Sequence, residues 1–192
     1  MELVLSCITY QVLWGLAYLH YEHNTHRDIK PGNILINYDG EVKLSDFGIS
    51  RNLDNTIGMS NTAVGTCKYM SPERLEGLAY NETADIYAFG IVMLEIINNN
   101  CYPFGRGASN PGSSNHGEIN GNGGMFDEGD GGIMSPIELL AELETLSVNK
   151  LLDGYILPNI NSSGGNICVT GQLREFITSM MHYESNDRSS AL

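Results

Sequence analysis

Two aspartates, Asp28 and Asp46, stand 18 positions apart in this 192-residue chain, with Lys30 and Asn33 between them. Asp28 ends the run His26-Arg27-Asp28 and is followed by Ile29-Lys30-Pro31-Gly32-Asn33, while Asp46 is followed by Phe47-Gly48. A carboxylate can take a proton from a hydroxyl, and a lysine can offset the charge of an anionic group beside it. Carboxylate and side-chain amide oxygens suit Mg²⁺, which needs few protein ligands because phosphates and water complete its shell. Taken singly, each aspartate reads as a surface or turn carboxylate. Taken in order and at this spacing, the four residues read as one constellation rather than as separate surface groups.

Such residues must be held by regular elements. Residues 2–21 carry Leu5, Ile8, Val12, Leu16 and Leu19 at three- and four-residue spacing, the pattern of an amphipathic helix. Ile34-Leu35-Ile36 and Val42-Lys43-Leu44 flank Asn37-Tyr38-Asp39-Gly40-Glu41. The Asp-Gly step supplies the positive φ of a tight turn, so a small hairpin is expected between Asn33 and Asp46. Residues 82–98 are apolar on all sides, which predicts a buried central helix, with Asn81 as its N-cap.

Residues 104–134 hold ten glycines in 31 positions, with Ser and Asn filling much of the remainder. That composition buries too little apolar area to offset its ordering entropy, so a disordered insertion is expected there. A helix resumes at Ser135-Pro136, with Pro at its first position and Ile137, Leu139, Leu140 and Leu143 following. A second Gly/Asn/Ser stretch, 159–166, precedes a last helix near 172–182. No internal repeat is present, and the length predicts one domain.

The net charge of −13 speaks against nucleic acid or an anionic membrane as partner, since both call for a basic face. The apolar stretch Ile86 to Ile97 is interrupted by Glu95 and falls short of the roughly 20 residues of a membrane span. Cys7, Cys67, Cys101 and Cys168 form no C-x-x-C pair, and no signal peptide is recognisable. Free thiols in a reducing cytosol or nucleus are therefore expected. His20, His23, His116 and His182 lack metal-ligand spacing and read as solvated surface. Trp14 reads as packed against neighbouring helices.

His26 to Asn33 fits H-R-D-x-K-x-x-N, and Asp46-Phe47-Gly48 is D-F-G, so the chain resembles the C-terminal lobe of a serine/threonine protein kinase. The resemblance implies a mainly α fold with a small β-hairpin, a partial kinase domain over 1–192, and ATP with Mg²⁺ as cofactors. It makes Asp28 the base facing the substrate hydroxyl, Lys30 the neutraliser of the transferred phosphoryl, Asn33 and Asp46 the Mg²⁺ ligands, and Leu35 a floor residue for adenine. Gly65-Thr66 and Tyr69-Met70-Ser71-Pro72-Glu73-Arg74 resemble the end of an activation segment, with Ser71 where A-P-E has Ala. Thr66 is then a contact of Asp28 and Lys30 on the substrate side. Glu73, Asp85 and Arg188 are then structural: Arg188 pairs with Glu73, and Asp85 accepts hydrogen bonds from the catalytic-loop backbone.

Val64-Gly65-Thr66 with Tyr69 to Leu75, and the insertion after Tyr102-Pro103-Phe104, are similar to MAP-kinase kinases. Thr56 with Thr62 resembles their plant-type activation pair, and Ser60 offers other pairings. The implied partners are a protein substrate, a MAP kinase by analogy with dual Thr/Tyr specificity, and an upstream kinase acting on those sites, with Arg27 receiving the added charge. The 192 residues contain no Gly-rich loop, V-A-I-K lysine or partnering glutamate. By themselves they are expected to bind MgATP poorly and transfer little. The competing readings are a non-catalytic kinase-like binding module and a kinase of another serine/threonine group. Intact Asp28, Lys30, Asn33 and Asp46 speak against the first.

Overall fold

The computed structural model describes residues 2–46, 66–98, 100–104, 134–145, 147–153, 156–158 and 166–191. Six helices and four short strands follow one another in these segments: α1 (Glu2–Tyr21), β1 (Ile34–Ile36), β2 (Val42–Leu44), α2 (Pro72–Leu75), α3 (Thr83–Ile97), α4 (Pro136–Glu144), α5 (Val148–Asp153), β3 (Ile156–Pro158), β4 (Asn166–Cys168) and α6 (Gly171–Met180). The fold is mostly helical.

The centre is α3. Thirteen of its fifteen residues are buried, among them Ile91 and Leu94 with no exposed surface. Side chains of that size contribute roughly 1.5–3 kcal/mol each on burial, which is why the segment least able to face water becomes the hub. Asn81 Oδ1 caps the entry, accepting from the Thr83 amide at 3.0 Å and its hydroxyl at 2.6 Å. Around α3 sit α1, α6 and the buried faces of α4 and α5, through Leu139, Leu143, Val148, Leu152 and Ile177. α4 opens with a capping box: Ser135 accepts from the Glu138 amide at 3.2 Å, and the Ser135 amide donates to Glu138 at 2.9 Å.

The contact of α3 with α6 is close at Gly90. A methyl group there would lie 2.6 Å from Met181 Cγ, and Met181 is itself buried. Gly90→Ala is expected to destabilise by about 1–3 kcal/mol through overpacking, less the 0.5–1 kcal/mol by which alanine favours a helix. Urea unfolding reads the difference.

α1 presents Leu5, Thr9, Val12, Leu16 and His20 to the core, while Tyr10, Trp14 and Tyr18 lie on its outer side. Trp14 is 70% exposed and stacks on Tyr10, so it does not pack between helices. α1 is long and apolar enough, by those two measures alone, to cross a membrane, with 28% of its most apolar window buried. Ile86–Ile97 is therefore not the longest apolar stretch: α1 carries no Asp, Glu, Lys or Arg after Glu2.

Among the described residues two antiparallel hairpins are present where the sequence predicts one. β1 pairs with β2 in the register Ile34↔Leu44, Leu35↔Lys43, Ile36↔Val42, and β3 pairs with β4. The second hairpin is not predicted by the sequence: its strands are three residues each, too short to show alternation on either side of a Gly/Asn/Ser stretch. Phe104 and Met134, at the edges of the Gly-rich stretch, pack on the core. The residues between them, where a disordered insertion is expected, lie outside the described residues.

Candidate active site

The first hairpin brings the two ends of the chemical constellation together. β1 begins directly after Asn33 and β2 ends directly before Ser45-Asp46. One further bond, from the Ser45 amide to the Asn33 carbonyl at 3.0 Å, continues the ladder past the strands. The hairpin is itself pinned to α1. Gln11 Nε2 donates to the Gly40 carbonyl at 3.0 Å, and Gln11 Oε1 accepts from the Val42 amide at 3.0 Å. Gly40 has φ +80°, the left-handed conformation that the turn requires.

Within this frame Lys30 Nζ lies 2.8 Å from Asp28 Oδ2. Asn33, buried, donates its Nδ2 to the Asp28 carbonyl at 2.8 Å and to Asp28 Oδ2 at 2.9 Å. Asn33 thus holds the Asp28 carboxylate with its amide nitrogen, and among the described residues no hydrogen bond takes up its Oδ1. Asp46 is exposed, in the left-handed region at φ +60°, with Ser45 Oγ donating to its Oδ2 at 3.4 Å. An amide oxygen and a carboxylate are hard donors that suit Mg²⁺, and two protein ligands suffice when phosphate oxygens fill the shell. The donor set fits that ion.

The loop is held from beneath by Asp85, on the first turn of α3. Asp85 Oδ2 accepts from the His26 amide and Oδ1 from the Arg27 amide, both at 2.8 Å. His20 Nε2 approaches the same Oδ2 at 3.0 Å, with both side chains almost wholly buried. An ionised carboxylate can only accept, so the ring proton sits on Nε2. His26, fully buried, has its pKa lowered by that burial against the pull of Asp85 and Asp28, and it is neutral at pH 7. The reading of His20 as solvated surface is therefore wrong. Its position was visible: Leu5, Thr9, Val12, Leu16 and His20 continue one face at three- and four-residue steps.

The protein kinase domain family matches residues 2–192. The chain belongs to that family. It is 55% identical over 92 residues to mitogen-activated protein kinase kinase 2 of Arabidopsis thaliana, covering 47% of this chain and 25% of that protein. It is 55% identical over 95 residues to mitogen-activated protein kinase kinase SIPKK of Nicotiana tabacum, covering 49% and 27%. A serine/threonine-protein kinase STE7 homologue of Candida albicans is 47% identical over 94 residues, covering 48% and 16%. The matched stretches thus span about a quarter or less of these relatives' own lengths.

In this kinase chain Leu35 is 54% exposed on β1. Thr66 opens a 3₁₀ turn, Thr66–Tyr69; the contact expected of its side chain lies outside what is described, as do Thr56, Ser60 and Thr62. Glu73 and Arg188 meet in a buried bidentate pair, with Nη1 and Nη2 each 2.6 Å from a carboxylate oxygen. Burial would raise the Glu73 pKa, but the bonds and charge of Arg188 outweigh it and hold the pKa below the ordinary 4.5. The unfolded chain therefore takes up this proton first. The contribution of Glu73 to stability is present above pH 4.5 and lost as pH falls through the folded pKa. Melting temperature is expected to drop on acidification below pH 4.5, and Glu73→Gln to be less stable at pH 7 with a shallower acid decline.

Proposed function

We propose that this chain is the C-terminal lobe of a serine/threonine kinase of the MAP-kinase-kinase type, transferring the γ-phosphoryl of ATP to a hydroxyl of a protein substrate. The reading rests above all on one arrangement: Asp28 Oδ2 at 2.8 Å from Lys30 Nζ and 2.9 Å from Asn33 Nδ2. In it, Asp28 takes the proton from the attacking hydroxyl as the oxygen–phosphorus bond forms and the bond to ADP breaks. Lys30, half-exposed and 2.8 Å from Asp28 Oδ2, offsets charge on the group in transit. Asn33 spends its amide nitrogen on aiming Asp28. Asn33 Oδ1 and the Asp46 carboxylate would hold Mg²⁺, which when bound neutralises the phosphate oxygens.

By analogy with the named relatives, the substrate is a MAP kinase, and the Thr56, Ser60 and Thr62 region receives phosphate from an upstream kinase. The deciding experiment is transfer of labelled phosphate from ATP to a MAP kinase bearing a Thr-x-Tyr loop. The full-length protein is compared with Asp28→Asn and with the 192 residues alone. Asp28-dependent labelling of both Thr and Tyr supports the proposal. Labelling of general serine/threonine substrates only would move the protein to another kinase group. Binding of a MAP kinase with no Asp28-dependent transfer would make it a binding module.

A further inference from the structure

The catalytic loop carries a strained residue. Arg27 sits at φ +71°, a conformation that costs a side-chain-bearing residue free energy and persists only where its surroundings over-determine it. Asp85 supplies one restraint, by accepting the Arg27 amide proton at 2.8 Å. The other comes from the opposite direction. Arg74 Nη1 donates to the Arg27 carbonyl at 2.7 Å, across 47 positions of sequence. That carbonyl belongs to the peptide joining Arg27 to Asp28. The peptide preceding the carboxylate that faces the substrate hydroxyl is thus gripped by a side chain of α2.

Arg74 is itself placed firmly. Its amide bonds to the Ser71 carbonyl at 3.0 Å in the first turn of α2, which Pro72 opens. Its guanidinium lies over the Tyr80 ring, 4.9 Å from the centroid. The residue before it, Glu73, is locked to Arg188. The four residues of α2 therefore carry two anchors in succession. Glu73 fastens the segment to the far end of the chain, and Arg74 reaches from it to the catalytic loop. A planar guanidinium can stack on Tyr80 and still aim an N–H at the carbonyl; an ammonium has no such fixed fork.

We propose that Arg74 is a positioning residue for phosphoryl transfer: it holds the left-handed Arg27 peptide and so couples the Tyr69–Leu75 segment to the orientation of Asp28. This rests on the kinase reading above for its catalytic consequence, though not for its structural one. The structural arm is hydrogen exchange on the protein with Arg74→Met, which keeps the aliphatic stem and removes the donors. Amides of 26–30 are expected to exchange several-fold faster, with those of α3 unchanged. Unchanged exchange at 26–30 overturns the proposal, as does an equal rise throughout α3, which would mark Arg74 as a general stabiliser. Tyr80→Leu provides a second variant: it removes the stack and leaves the donor, so a smaller rise confined to the same amides is expected.

The kinetic arm uses the full-length protein. Arg74→Met is expected to lower kcat ten- to a hundred-fold with KM for ATP unchanged, since a displaced base loses rate rather than nucleotide affinity. Arg74→Lys should recover only part of it, and adding Arg74→Met to Asp28→Asn should lower kcat no further. A loss expressed in KM alone, or a full additive loss in the double variant, sinks the coupling. Exchange needs no catalysis, so an inactive wild type would overturn the kinase reading while leaving the Arg74 result standing.

Discussion

Replacing Asp28 by Asn is expected, on the kinase reading proposed above, to lower kcat for phosphoryl transfer by about 10²- to 10⁴-fold, the range ascribed to a positioned general base. That corresponds to roughly 2.7–5.4 kcal/mol of transition-state stabilisation. The substitution keeps size and shape. An asparagine here can still turn its oxygen towards Lys30 Nζ and Asn33 Nδ2, which lie 2.8 and 2.9 Å from the present carboxylate. The Asp28 backbone carbonyl, also bonded by Asn33, is untouched. What the variant loses is the capacity to take a proton, together with the charge partner of Lys30. The ion pair is exposed enough that its removal changes stability by no more than about 1 kcal/mol. Rate and fold therefore separate: kcat falls steeply while KM for ATP and the unfolding midpoint stay near their original values. A fall of less than tenfold would show that the substrate proton leaves by another route.

The parts of this protein that could be read from its residues are those where local chemistry and long-range packing agree. α3 is apolar on every side, and a segment with no polar face has only the interior to occupy. The first hairpin was legible because an Asp-Gly turn separates two apolar triplets, and Gly40 takes the positive φ that the turn demands. Asn81 and Ser135 announce helix starts through the hydrogen bonds their side chains make two and three residues on. His20 and Trp14 lie on the sides opposite to those expected, for a shared reason. Both are amphipathic, so residue type leaves their side undecided, and only position on the helix tells. His20 extends the inward stripe of α1 and finds a carboxylate there. Trp14 falls on the outward face and stacks on Tyr10. Arg74 was legible only as part of a motif string. Its bond to the Arg27 carbonyl joins residues 47 apart, and no periodicity encodes such a contact. The same holds for His20 and Asp85, which are 65 apart.

The largest effect on stability is expected at the other long-range pair. Arg188→Ala removes four hydrogen bonds at once: two to Glu73, one to the His182 carbonyl and one to the Tyr183 carbonyl, the last two at 2.7 Å. It also removes a cation from the face of Tyr87, whose ring centroid is 4.7 Å away. The decisive loss is electrostatic. Glu73 remains buried with its compensating charge gone, and breaking a buried pair in this way costs about 3–5 kcal/mol. Against a total stability of about 5–15 kcal/mol, that is a fifth of the fold at the least. Arg188→Lys should relieve only part of the deficit, because one ammonium cannot meet four acceptors spread over three residues. Replacing both partners by apolar residues, Glu73→Leu with Arg188→Met, should recover much of the loss, since no charge is then left stranded. Urea unfolding of Glu73→Leu alone, Arg188→Met alone and the two together gives the coupling directly. If Arg188→Ala costs less than about 1 kcal/mol, the pair is a bystander and α2 is held by other contacts. If the coupling is large, α2 owes its place to Arg188, and so does Arg74, whose grip on the Arg27 peptide begins one residue after the buried glutamate.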